Sequence, residues 1–168
     1  MIRKAYSGKG DSGYTADFSG KRLRKDDARI VVGGKIDQLQ SAIDRARLGE
    51  RGVALRVLEQ AQVKLWQTAA EISCVDGSCL NAPVTAADLK SCERFTDSLG
   101  TPPRRFVRFD TQRAVDLNEC RVRCRELETH LVRLRRASKL RREVYAYINR
   151  LSSLFFMMAY RRAKNRDA

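Results

Sequence analysis

The sequence predicts an all-α fold, a five-helix bundle preceded by an ordered Gly-rich N-terminal loop. Three observations carry this expectation. Apolar residues recur three and four positions apart over long stretches, no stretch sustains period-two alternation, and Gly and Pro interrupt the periodic stretches at turn-like intervals. Residues 1–30 are polar and rich in glycine, and are expected to be an ordered loop only when a ligand or neighbour holds them. The first helical seam is Ile36, Leu39, Ile43 and Ala46, and the second is Leu58, Ala61, Leu65, Ala69 and Ile72. Thr85 opens a third helix as its N-cap, running to Leu99. A fourth seam passes through Leu117, Cys120, Cys124, Leu127, Leu131 and Leu134, and a fifth through Val144, Ile148, Leu151, Phe155 and Met158. The breaks fall at Gly49 to Gly52, Asp76 to Pro83 and Gly100 to Pro103. The expected organisation is one domain over 1–168, with a nucleotide-binding loop at 1–30 and the bundle at 31–168.

A chain of 168 residues suffices for one full core. Its formal charge of +14, from 34 basic and 20 acidic residues, favours an anionic partner such as a polyphosphate, a nucleic acid or an acidic membrane. The most apolar stretch, Leu151 to Tyr160, is far shorter than the roughly 20 residues needed to span a bilayer, so a soluble, cytoplasmic protein without membrane contact is expected. Five cysteines, an odd number, do not read as a secreted disulfide framework. Cys120 and Cys124 lie on a helical seam and read as small core residues. Cys74 and Cys79 flank a turn-like sequence and leave two options, a metal site or pairing under oxidation. His130 has no acid or nucleophile at a telling spacing and reads as a helix-surface histidine.

Chemistry concentrates in two places. From Tyr6 the chain runs Ser7, Gly8, Lys9, Gly10, Asp11, Ser12, Gly13, Tyr14, Thr15, and glycines so spaced can turn backbone N–H groups toward one oxyanion beside a lysine. The spacing is neither that of a P-loop nor that of a dinucleotide fingerprint. On the fourth helix Arg121, Arg125 and Glu128 share one face beside the apolar seam. Two guanidiniums there can grip a triphosphate while the carboxylate orients a basic group or a metal ion; the same spacing also suits a solvated, salt-bridged surface.

Five segments in order, Tyr6 to Thr15, Lys25-Asp26-Asp27 with Arg29, Gly34-Lys35-Ile36-Asp37-Gln38-Leu39, Arg121 to Glu128, and Asn149-Arg150-Leu151-Ser152, resemble the propanediol-utilisation type of ATP:cob(I)alamin adenosyltransferase. The resemblance implies a transferase using ATP, Mg²⁺ and cobalamin, the last as substrate. It implies that Ser7, Gly8, Lys9, Gly10, Thr15 and Lys25 contact ATP, with Arg125, Glu128 and Asn149 completing that site and Mg²⁺ carried by the nucleotide rather than by a metal site of the protein. Asp37, Arg121 and Arg125 are implied as catalytic, Arg121 pairing with Asp37 across a subunit boundary. Phe106 and Asp37 are implied at the cobalamin, Phe106 beneath the corrin ring, where it excludes the lower axial ligand. The implied assembly is a homotrimer with sites between subunits, served by a corrinoid reductase and an adenosylcobalamin-dependent enzyme.

The chain departs from the family after Phe106-Val107, where Leu-Pro-Gly-Gly is usual and Arg108-Phe109-Asp110-Thr111 stands. Gln38, Gln40, Asn118 and Ser153 also replace the usual residues, and the loop lysine is displaced by one position. Phe109 is close enough to Phe106 to take its role. Two alternatives stay open on sequence alone, a catalytically idle relative that binds corrinoid or nucleotide, and a basic helical RNA-binding protein.

Overall fold

A computed structural model of the chain describes residues 8–74, 82–137 and 140–164. Five helices follow a short hairpin: β1 (Tyr14–Ala16), β2 (Arg22–Arg24), α1 (Ala28–Leu48), α2 (Gly52–Ser73), α3 (Ala86–Ser98), α4 (Gln112–Ala137) and α5 (Arg142–Lys164). Helix α4 is the centre, packing against α1 on one side and α5 on the other, while α2 leans on α1 and α3 on α5. The four predicted seams are buried, Ala69 only in part: Leu117, Cys120, Cys124, Leu127 and Leu131 on α4, and Ile148, Leu151 and Phe155 on α5, have no exposed surface. Burying each Leu, Ile or Phe contributes about 1.5 to 3 kcal/mol, and no local interaction in the chain approaches their sum.

The boundaries follow capping chemistry. The Asp27 carboxylate accepts the Arg29 N–H at 2.9 Å and starts α1, three residues before the expected edge of the bundle. At α3 the Thr85 hydroxyl accepts the Asp88 N–H while Asp88 accepts the Thr85 N–H, a reciprocal box that satisfies two orphan donors. Glu50, wholly buried in the turn between α1 and α2, accepts Arg162 Nε at 2.9 Å and lies 3.5 Å from Arg113. Two cations therefore compensate one buried carboxylate, and the end of α5 and the start of α4 are tied to the same turn.

The N-terminal segment departs from the expected loop. Tyr14, Thr15 and Ala16 pair antiparallel with Arg24, Leu23 and Arg22. The buried Asp17 closes the turn by accepting the Lys21 N–H at 2.8 Å and the Ser19 hydroxyl at 2.7 Å, and Gly20 supplies the positive φ of 84° that the turn needs. Strands of three residues are too short to register as period-two alternation, which is why the pattern was not visible. The hairpin supplies its order from its own hydrogen bonds.

Cys74, at the end of α2, is buried and disulfide-bonded, in line with the pairing option; Cys79 and the rest of 75–81 lie outside the described residues. Cys92, Cys120 and Cys124 are free and buried, and burial pushes the Cys120 thiol up to about 12 and Cys92 to about 11. A thiol with a raised folded-state pKa adds stability that is complete below its unfolded value, about 8.5, and is lost as pH rises toward the folded value. The urea midpoint is therefore expected to fall between pH 8.5 and 11, and less steeply in Cys120→Ala. A slope identical in both proteins would show that the Cys120 thiol ionises alike in the folded and unfolded states.

Candidate functional site

Two clusters of polar residues stand apart within one chain. The first is built by the hairpin. Gly8 and Gly13 take positive φ of 69° and 80°, Asp11 N–H bonds to the Gly8 carbonyl and Gly13 N–H to that of Gly10, so the backbone coils through two successive turns. Lys25 is drawn in by its own N–H, which bonds to the Gly13 carbonyl at 2.9 Å. A Cβ on Gly10 would lie 3.2 Å from Lys25 Nζ and 3.4 Å from its Cε, so the Lys25 ammonium rests closely against the loop at this glycine. Beside it Lys9, Gly10, Ser12, Tyr14, Thr15 and Arg22 enclose an open hollow of about 760 Å³. Arg22 reaches the Ser12 hydroxyl at 3.2 Å and its guanidinium lies 5.4 Å from the centre of the Tyr14 ring. Gly8, Lys9, Gly10, Thr15 and Lys25 thus share one neighbourhood. Ser7 lies outside the described residues. Arg22, brought across the hairpin by strand pairing, is a contributor that sequence reading missed.

The second cluster lies on α4 and α5. Arg121 and Arg125 face a hollow of about 390 Å³, walled by Gly100 and Pro102 from the loop after α3 and by Ser152, Ser153 and Phe156 from α5. Burial lowers the Arg121 pKa, and the Arg125 charge lowers it further, so the pocket holds two cations that repel and favour an anion between them. Arg121 Nε donates to Asn118 Oδ1 at 2.8 Å in its own helix. Its expected partner Asp37 is exposed on α1 and makes no ion pair with a described residue, so that pairing is not formed inside one chain. One turn along, Glu128 accepts Asn149 Nδ2 at 2.8 Å and the Tyr145 hydroxyl at 3.2 Å. Sequence spacing pointed to Glu128 and the family resemblance to Asn149; their contact, and Tyr145, follow from the register of α5 against α4.

The loop between α3 and α4 separates the two aromatic candidates. Phe106 is 96% exposed. Phe109 turns inward and packs edge-on against Phe156, with ring centres 6.3 Å apart. Since Phe156 also walls the arginine pocket, the loop is anchored at Pro102 and Phe109 and presents Phe106 between them.

A helical bundle that carries one glycine-and-lysine loop and one paired-arginine pocket offers two cationic clusters whose chemistry suits an anion. The family model for cobalamin adenosyltransferase matches residues 5–162, and the chain belongs to that family. It is 32% identical over 163 residues to a corrinoid adenosyltransferase of Citrobacter freundii, covering 93% of each chain, and 31% identical over 153 residues to a cobalamin adenosyltransferase of Cupriavidus metallidurans, covering 89% of this chain and 83% of that one. It spans 50% of the length of a second Citrobacter freundii relative, the corrinoid adenosyltransferase PduO. Its fold is similar to that of a PduO-type ATP:corrinoid adenosyltransferase from Lactobacillus reuteri, solved as a phenylalanine-to-alanine variant complexed with cobalamin and ATP: the TM-score is 0.83 at 23% identity, with 96% of this chain and 94% of that one covered.

The contact between Glu128 and Tyr145 gives an optical handle. Burial raises the Tyr145 pKa and the neighbouring Glu128 charge raises it further. Removing that charge in Glu128→Gln should shift tyrosinate absorbance to lower pH, read as the ultraviolet difference spectrum of the folded protein. An unchanged titration would mean that Glu128 does not face Tyr145 in solution.

Proposed function

We propose that the chain is a corrinoid adenosyltransferase whose site is assembled from two copies, the hairpin of one and the α4–α5 face of its neighbour, in a homotrimer of single-domain subunits. The observation that supports this most is the separation of the clusters: β1 and β2 pack chiefly on each other, with at most slight contact to any helix, and Asp37 and Arg121 lack each other as partners within one chain. A site divided this way closes only between subunits. In this reading residues 1–30 supply the nucleotide loop and 31–168 the bundle.

The chemistry is a nucleophilic displacement. The electron pair of cob(I)alamin forms the bond from cobalt to C5′ of ATP, the C5′–O bond breaks, and its electrons leave with triphosphate. No protein nucleophile is needed. Lys9, Gly8, Gly10, Thr15 and Lys25 hold the triphosphate from the hairpin side together with Ser7, and Arg125 holds it from the helix side, so positive charge already stands where negative charge develops. Glu128 fixes Asn149 for the nucleoside, and its carboxylate suits the Mg²⁺ that arrives with ATP and neutralises the leaving group. Arg121, released from Asn118, takes Asp37 of the neighbour and orders the boundary. Phe106, exposed on an anchored loop, lies under the corrin and keeps the lower ligand off cobalt. Phe109 is committed to Phe156, which favours Phe106 for this task.

Two measurements check the assignment. Lys25→Ala and Arg125→Ala should each weaken ATP binding by about 1.5 to 3 kcal/mol in titration calorimetry, and Gly10→Ala should weaken it less, because its methyl group shifts the Lys25 ammonium by only a few tenths of an ångström. Full affinity in all three would remove the nucleotide from these residues. With ATP present, cob(II)alamin should give the four-coordinate absorbance and magnetic-resonance signature, lost in Phe106→Ala while ATP still binds. Binding of both substrates without that signature or any adenosylated product would instead favour the idle relative.

A further inference from the structure

The loop that presents Phe106 carries three arginines that the adenosyl transfer does not use. Arg104, Arg105 and Arg108 are all exposed, and none forms a hydrogen bond or ion pair with another described residue. Val107 is half-buried and Phe109 packs on the core, so three guanidiniums and one phenyl ring stand exposed over 104–108, followed by the exposed Asp110 carboxylate, which has an interaction of its own. The loop is not a loose tether. Pro102 and Pro103 fix φ at its start, Pro102 walls the arginine pocket, and Phe109 is set against Phe156. At its far end the Thr111 hydroxyl accepts the Ala114 N–H at 3.3 Å, and Arg113 lies over Gly49 beside the buried Glu50. An anchored crest of like charge is electrostatically unfavourable on its own, and the repulsion is relieved when an anion binds.

In the proposed site the triphosphate already has its cations in Lys9, Lys25 and Arg125, and the crest lies on the corrin side, around Phe106. A complete corrinoid such as cobalamin carries one fixed anion away from its ring, the phosphodiester of its nucleotide tail. That tail is freed from cobalt whenever the lower ligand is excluded. We propose that Arg104, Arg105 and Arg108 form an anion-binding rim that holds this phosphodiester, making the chain selective for corrinoids with a phosphate-bearing tail over those without one. Guanidinium forks suit phosphate oxygens, and three of them spaced around Phe106 can follow a tail displaced to one side of the ring. The inference rests on Phe106 lying beneath the corrin.

The test compares cob(II)alamin with cob(II)inamide, which shares the ring and lacks the phosphodiester, by equilibrium binding to the full chain saturated with ATP. Exposed ion pairs are individually weak, so three together are expected to give a preference for cob(II)alamin on the order of tenfold, shrinking as salt is raised. Arg104→Ala/Arg105→Ala/Arg108→Ala should bind the two corrinoids equally, through loss of cob(II)alamin affinity alone, with ATP affinity intact. Arg→Lys at all three positions should restore part of the preference. Equal binding of the two corrinoids by the unaltered chain, or a preference that survives the triple substitution, would overturn the rim while leaving the adenosyltransferase reading in place. Weaker ATP binding in the triple variant would reassign the arginines to the triphosphate and overturn it too. Failure of both corrinoids to bind the unaltered chain would remove both readings.

Discussion

The helix-face half of the candidate site depends on the register of α4 against α5. The two helices meet through Cys120, Cys124, Leu127 and Leu131 on one side and Ile148, Leu151 and Phe155 on the other, all without exposed surface. Cysteine is small enough to let the backbones approach, and Cys124 Sγ lies 3.0 Å from the Ile148 carbonyl. That contact fixes which residues face each other one turn away on the polar edge. Glu128 then meets Tyr145 and Asn149, and Arg121 and Arg125 meet Ser152, Ser153 and Phe156. A slip of one residue would rotate α5 by about 100°, turn its apolar seam toward solvent and dissolve both groupings. The core therefore specifies the site as well as stabilising the fold.

The second constraint is ionic. Glu50 is wholly buried, and its compensation by Arg162 and Arg113 joins the end of α5, the start of α4 and the turn after α1. Arg141 does the same at the opposite end, donating to both Glu71 oxygens at 2.6 and 2.8 Å and to the Val84 carbonyl at 2.9 Å. Removing one partner of such a buried group leaves a charge uncompensated, so these ties hold the helix ends in one arrangement. The loop that carries Phe106 emerges directly before Arg113 and takes its footing from that tie.

Much of this was legible in the sequence. The helices were, because each buries a stripe of apolar residues three and four apart, and the Thr85 cap was, because a hydroxyl three residues before Asp88 has one simple use. The five ordered motifs pointed to the cobalamin adenosyltransferase family, and the family match over residues 5–162 bears that out. The hairpin was not legible, since three-residue strands carry no periodicity and their pairing depends on the Asp17 turn. Nor was the choice between Phe106 and Phe109: both are aromatic residues in one irregular loop, and only packing against Phe156 distinguishes them. Contacts such as Arg141 with Glu71, or Glu128 with Asn149, join residues far apart in sequence and follow from helix register, which a single sequence does not print.

The central claim is that hairpin and helix face act in different copies of the chain. It is tested most directly by mixing Lys25→Ala with Arg125→Ala under conditions that exchange subunits, then following conversion of cob(I)alamin to the adenosylated product by absorbance with ATP and Mg²⁺ present. Each variant alone should be nearly inactive. In the mixture an intact hairpin from one variant meets an intact arginine face from the other at roughly a quarter of all interfaces, so about that share of unaltered activity should return. A mixture no more active than its two components, with subunit exchange verified by mass, would show that each site lies within a single chain.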